Sequence, residues 1–154
     1  MQVSKFKNEA YTSWAEGDSR KRQEKEVANL EAKSGKEYPN IIGGKRVFSK
    51  EKFSSLNPSS PSQVVGVFQQ GTADDALLAL DAAWEAFASW KNVSVEKRAE
   101  LLFKGAQVMR KRRFELNATM VLEVGKSFIE ADADTADARR PTHANRRSLS
   151  GSAT

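Results

Sequence analysis

The chain has 154 residues, 39% of them hydrophobic and 29% charged, with a net charge of +5 and no cysteine. That length suits one domain, and the missing cysteines exclude a disulfide framework, a zinc ribbon and a thiol nucleophile within these residues. Four of the 25 basic residues (Arg139, Arg140, Arg146 and Arg147) and none of the 20 acidic ones lie beyond Ala138, so residues 1–138 hold 21 basic and 20 acidic side chains and the basic character belongs to the end of the chain.

Residues 1–17 are polar and irregular, with Phe6, Tyr11 and Trp14 as their anchors. They contain no apolar h-region, and no run in the chain approaches the roughly 20 apolar residues of a membrane helix, so no membrane association is expected. A first helix is predicted from Asp18, a capping residue, to Ser34, with Gly35 at the left-handed exit position. Its apolar stripe is thin, with only Val27 and Leu30 of any size. Tyr38 to Ile42, Gly43-Gly44 and Lys45 to Phe48 then have the form of a two-residue β-hairpin, because paired glycines accept the positive φ angles of a primed turn. Phe53–Leu56 and Val64–Phe68 are two further strand candidates, separated by the turn cluster Asn-Pro-Ser-Ser-Pro-Ser.

After Gly71 the period returns to that of a helix. Thr72 and Asp75 form an imperfect capping box, and Ala76, Leu80, Ala83, Trp84, Phe87 and Trp90 follow at helical spacing as a core face. Ser94 can cap the next helix, whose buried face is predicted as Leu101, Leu102, Gly105, Val108 and Met109, with Arg110, Lys111, Arg112 and Arg113 completing the dipole at its end. Phe114–Val124 makes another helix, with Leu116, Met120 and Val121 inward and Gly125 as terminator. Ser127 caps a last one that runs to Ala138.

The order of these pieces carries a resemblance. The phrases Tyr-Pro-Asn-Ile-Ile-Gly-Gly-Lys-Arg-Val, Leu-Asn-Pro-Ser-Ser-Pro-Ser-Gln-Val-Val-Gly, Ala-Ala-Trp-Glu-Ala-Phe-Ala-Ser-Trp, Glu-Lys-Arg-Ala-Glu-Leu-Leu-Phe-Lys-Gly-Ala and Glu-Val-Gly-Lys-Ser together resemble the opening segment of the aldehyde dehydrogenase superfamily. The likeness spans about residues 6–138. The charged helix before Gly-Lys-Glu-Tyr-Pro and the acidic Glu-Ala-Asp-Ala-Asp-Thr-Ala-Asp-Ala make it most similar to the 1-pyrroline-5-carboxylate dehydrogenase branch.

The resemblance implies an α/β fold, represented here by a β-hairpin and strand section followed by three to four helices of an incomplete domain. It implies residues 1–37 as an N-terminal extension with the first helix, 38–138 as part of the NAD-binding domain, and 139–154 as a non-homologous tail of disorder-prone composition. The implied activity is NAD-dependent oxidation of L-glutamate γ-semialdehyde to glutamate in proline breakdown. That chemistry needs a cysteine thiolate, oxyanion donors, a hydride acceptor and a glutamate base. The cysteine, the Gly-x-Thr-x-x-Gly turn, the Leu-Glu-x-Gly-Gly-Lys stretch and the Pro-Trp-Asn segment are all missing from this sequence. The chain therefore reads as a truncated N-terminal piece, inactive by itself, with no catalytic or cofactor-binding residues, NAD being implied only for the longer family members.

One site is implied by the resemblance: backbone carbonyls of Ser55 and Leu56 with the Glu123 side chain, around a structural monovalent cation. Asp132, Asp134 and Asp137 have spacings that do not converge on one metal, and a solvated face is the expectation. His143 has no partner for a metal site or a catalytic dyad, and Gly125 beside Lys126 reads as a helix exit, not a catalytic pair. The expected setting is the cytoplasm or mitochondrial matrix. The expected partners include no small-molecule substrate and no specific nucleic acid, but further copies of the chain through uncovered apolar surface. The competing readings are a non-catalytic helical interaction module and a small basic nucleic-acid binder acting through the tail arginines.

Overall fold

A computed structural model of the chain describes residues 9–15 and 17–138, so the readings placed on Phe6, on His143 and on residues 139–154 lie outside the described residues. The elements run α1 (Ser19–Glu31), β1 (Lys36–Tyr38), β2 (Asn40–Ile42), β3 (Lys45–Val47), β4 (Lys52–Asn57), β5 (Ser60–Gln69), α2 (Ala73–Trp90), α3 (Val95–Lys111), α4 (Arg113–Val124) and α5 (Phe128–Asp137). They fall into two compact units. One is Glu31–Val93; the other joins the chain up to Leu30 with the chain from Ser94.

In the first unit the predicted hairpin is present: β2 and β3 pair antiparallel, Ile42 opposite Lys45, around Gly43 and Gly44 at φ 55° and 76°. The preceding strand is shorter than the sequence suggested. Pro39 has no N–H to continue a ladder, so Tyr38 ends a separate strand, β1, which pairs parallel with β5. β4 pairs antiparallel with the other edge of β5, giving the order β1-β5-β4. The connection is an Asx turn, with Asn57 Oδ1 accepting from Ser59 N–H at 2.9 Å and Asn57 Nδ2 donating to Gln63 Oε1 at 2.7 Å, but it is tighter than the sequence suggested, because β5 already begins at Ser60 and takes in the second half of the turn cluster.

Register places Tyr38, Phe68 and Phe53 in one row across the three strands. Their rings stack with centroids 5.3 and 5.7 Å apart, the offset range that aromatic pairs prefer. Gly66 makes room for this row, since a Cβ there would sit 3.0 Å from the Phe68 ring and 3.1 Å from that of Tyr38. Gln69, buried at the end of β5, ties neighbouring segments together: its Nε2 donates to Glu37 Oε1 and to the Tyr38 carbonyl, and its Oε1 accepts from Ser49 N–H.

α2 starts at a complete capping box, because the Thr72 hydroxyl accepts from Asp75 N–H while the Asp75 carboxylate accepts from Thr72 N–H. The core face expected along this helix is not buried. None of its residues is, and Trp84, Phe87 and Trp90 are 64%, 46% and 43% exposed. The small side is turned inward instead: the Ala82 methyl lies 3.5 Å from where a Gly43 side chain would begin.

In the second unit α5 opens on a capping box of Ser127 and Glu130, and α4 ends at Gly125 with φ 71°, both as the sequence indicated. The buried faces are displaced from the expected ones. On α3 they are Ala99 and Ala106, whereas Leu101, Leu102, Gly105 and Val108 are exposed and Met109 is half-buried. On α4 Asn117, Ala118 and Leu122 are buried, with Leu116, Met120 and Val121 half-covered. Periodicity locates the apolar stripe of a helix but not the neighbour that covers it, and here close helix approach is made by alanines. Among the described residues the buried hydrophobic side chains are Ala99, Ala106, Ala118, Leu122, Ala131 and Ala136.

Gly66→Val should disrupt the ring row and lower the stability of the sheet unit by about 1–3 kcal/mol, the usual range for overpacking. The check is a urea melt followed by tyrosine fluorescence, in which an unchanged midpoint would count against tight packing at Gly66.

Candidate functional site

The densest polar cluster lies between α4 and α5. α3 gives way to α4 at Arg112, whose φ of −99° and ψ of 17° depart from the helix. Arg113 is thereby the first residue of α4, with Asn117 one turn further on; Asp132 and Thr135 share a face of α5 at a spacing of three. Ala118 and Ala131, both fully buried, let these faces approach.

Asp132 is 1% exposed. Its carboxylate accepts from Arg113 Nε and Nη2, each at 2.6 Å, from Asn117 Nδ2 at 3.1 Å, and from the N–H and hydroxyl of Thr12 at 2.8 and 2.9 Å. Thr135 donates to Asn117 Oδ1 at 2.7 Å, and Arg113 Nη2 also donates to the Ala10 carbonyl at 3.0 Å. Glu9 accepts from Arg110 Nε at 3.0 Å and lies 4.0 Å from Arg113. Trp14 completes the attachment of the leading segment, with its ring 6.5 Å from that of Phe114 and 5.7 Å from that of Phe128.

Burial alone would raise the Asp132 pKa; the bonds from Arg113, Thr12 and Asn117 outweigh it and hold the carboxyl below its ordinary value. With five donors on two oxygens, the group has no free lone pair suited to a metal or a substrate proton. Its work is structural. The expectation of a solvated acidic face is therefore corrected at Asp132, while Asp134 and Asp137 are exposed and Asp134 pairs with Lys126.

Arg110 and Lys111 stand in the last turn of α3, as the dipole reading of the basic run expected. Its three arginines also make ion pairs: Arg110 with Glu9, Arg112 with Glu115, Arg113 with Asp132. The sequence offered one signal for this, an arginine at a helix boundary and an aspartate among alanines. Thr12 carried no signal of its own, and of the expected anchors Tyr11 is 63% exposed.

The proposed cation ligands are placed as follows. Ser55 and Leu56 are adjacent on β4, at the register shift between them, and Leu56 is exposed. Glu123 is half-buried in the last turn of α4, in the other unit. Among the described residues no group of three or more His, Cys, Asp or Glu side chains is arranged to hold a metal. A cleft of about 250 Å³ is lined by Arg22, Lys25, Glu26, Lys111, Arg112, Phe114 and Glu115. Its charges are partly neutralised within it: Arg112 grips Glu115 at 2.8 and 2.6 Å, and Arg22 lies 4.5 Å over the Phe114 ring. No pairing of nucleophile and base is present there.

The model of the aldehyde dehydrogenase family matches residues 47–146. The chain belongs to the aldehyde dehydrogenase family. It is 42% identical to 1-pyrroline-5-carboxylate dehydrogenase 1 of Halalkalibacterium halodurans over 133 residues, which is 86% of this chain and 26% of that protein. The 1-pyrroline-5-carboxylate dehydrogenase of a Geobacillus species is 41% identical over 136 residues, 88% of this chain and 26% of the relative. Among solved structures, the Thermus 1-pyrroline-5-carboxylate dehydrogenase with bound NAD superposes with a TM-score of 0.87 at 42% identity, covering 90% of this chain and 27% of that one. Proline utilization A from Bdellovibrio bacteriovorus gives 0.88 at 37% identity, over 93% of this chain and 15% of the other. The chain thus spans about a quarter of the length of the curated relatives it matches.

Arg113→Met should cost about 3–5 kcal/mol at pH 7, because it strands a buried carboxylate. Since the folded-state pKa of Asp132 is depressed, its stabilisation is complete above the ordinary aspartate value of about 3.9 and is lost as pH falls through the folded value. Urea melts of parent and variant should therefore converge between about pH 5 and pH 2; a gap independent of pH would refute the role given to this pair.

Proposed function

We propose that this chain is the lead-in portion of an NAD-dependent dehydrogenase that oxidises L-glutamate γ-semialdehyde, the open form of 1-pyrroline-5-carboxylate, to glutamate in proline catabolism. The observation that carries the reading is about 40% identity across nearly nine-tenths of the chain to proteins of that one activity.

Within such an enzyme the segment's part is architectural. The 154 residues contain no cysteine, so the thiolate attack that the family resemblance implies has to be made by residues other than these. Nor do these residues fit NAD. Among the described residues one strand leads directly into a helix, β5 into α2, and helix N-termini after strands are the places where dinucleotide phosphates are held. Here that N-terminus carries Asp74 and Asp75, with Asp75 already spent on capping Thr72. Two carboxylates in the first turn repel a pyrophosphate, and no step of hydride transfer is assigned to this segment.

The exposed face of α2 favours a second reading, a non-catalytic helical module that pairs with a partner protein. The two are separated by complementation. The purified chain alone should produce no NADH from glutamate semialdehyde. Co-expressed with the Halalkalibacterium relative from which the corresponding 133 residues have been removed, it should restore NADH formation. Turnover by the chain alone, or stable folding of the chain as a monomer with a sharp two-state melt and no complementation, would overturn the lead-in reading.

A further inference from the structure

Two exposed helix faces carry flanks of opposite charge. On α2, Leu77, Leu80, Trp84 and Phe87 follow one another at intervals of three, four and three, the spacing that keeps one seam in line along a helix. All four are exposed, by 60%, 53%, 64% and 46%. One flank of this seam is acidic, formed by Asp74, Asp81 and Glu85.

On α3 the exposed apolar row is Leu101, Gly105 and Val108. Lys97, Lys104 and Lys111, each seven residues from the next, run beside it as a basic flank. Among the described residues none of these six charged side chains has a salt-bridge partner. The helices are of similar length, 18 and 17 residues, about 26 Å each.

We propose that α2 of one copy of this chain pairs with α3 of a second copy, the apolar rows meeting at the centre and the acidic flank lying against the basic one. Pairing α2 with α2 would bring carboxylates together, and α3 with α3 would bring lysines together. Charges beside an apolar seam choose partner and orientation in this way. Gly105 leaves the middle of the α3 row without a side chain, and the space where its Cβ would stand is open. The pairing uses only surfaces present on this chain.

The test is sedimentation equilibrium of the full 154-residue chain. Self-association should weaken as NaCl rises from about 0.05 to 0.5 M, since screening shortens the reach of the flanking charges. Lys97→Glu/Lys104→Glu and Asp81→Lys/Glu85→Lys should each weaken it at least tenfold, about the loss expected from like-charge juxtaposition. An equimolar mixture of the two variants should associate to within about threefold of the parent, because each then offers the charge the other lacks. Either variant associating as tightly as the parent, or a mixture that stays monomeric while both variants keep the parent's helical circular dichroism, would overturn the proposal. For a variant that fails to fold, the parent supplies the second measurement: carbodiimide cross-linking of mixed light and 15N-labelled chains. Links from Asp81 or Glu85 to Lys97 or Lys104 between light and heavy copies support the pairing. The same links confined to single copies refute it.

Discussion

A buried carboxylate governs the helical unit. Asp132 has been taken out of water at a cost of several kcal/mol, and its five hydrogen bonds come from two other segments of the chain, α4 and the residues around Thr12. No single segment could satisfy it. The α4–α5 pair must therefore bring Arg113 and Asn117 within 2.6–3.1 Å of it, and Ala118 and Ala131 at the contact make that approach sterically open. The leading segment is held for the same reason, since removing Thr12 would leave two acceptor positions empty in a dry site. Gln23 extends the arrangement to α1 by donating to the Phe114 carbonyl at 3.0 Å, so a helix with little apolar surface is anchored by a polar contact.

Apolar burial contributes in an unusual distribution. Among the described residues the buried hydrophobic side chains are alanines and Leu122, while leucines on α2 and α3 and Trp84, Phe87 and Trp90 on α2 stand outside. An alanine contact sets distance and direction but removes little apolar area from water, and the large side chains that would remove more are the exposed ones. A segment of this kind has the secondary structure and local polar fixings of a folded protein without the apolar ledger of one. That imbalance agrees with a chain spanning about a quarter of the length of its relatives.

The sheet unit shows the same division between local and distant causes. Its hairpin and its Asx turn depend on neighbouring residues and form as the local rules require. The row of Tyr38, Phe68 and Phe53 depends on a parallel pairing between strands about thirty residues apart, and on Gly66 being bare. Glu37, held below its ordinary pKa chiefly by its bond from Lys52 and then by that from Gln69, is placed by the same pairing.

What the sequence determined by itself was whatever is set within four or five residues. That covers the Gly43-Gly44 turn, the caps at Thr72, Ser94 and Ser127, the stop at Gly125 and the order of the helices, because capping and turn bonds close over short spans. The family was legible for a related reason: such local phrases, in one order, form a signature. The tertiary structure decided what is buried. Asp132 and Asp134 stand two apart in the same alanine-rich helix, and local spacing cannot tell them apart. Only the packing of α4 and the segment around Thr12 against one face of α5 makes one a dry, fully bonded carboxylate and leaves the other in water. The same holds along α2 and α3, where periodicity marked the large apolar face as the inner one and the neighbours turned out to meet the alanines. Burial is a property of pairs of elements, and one element's sequence names only half of each pair.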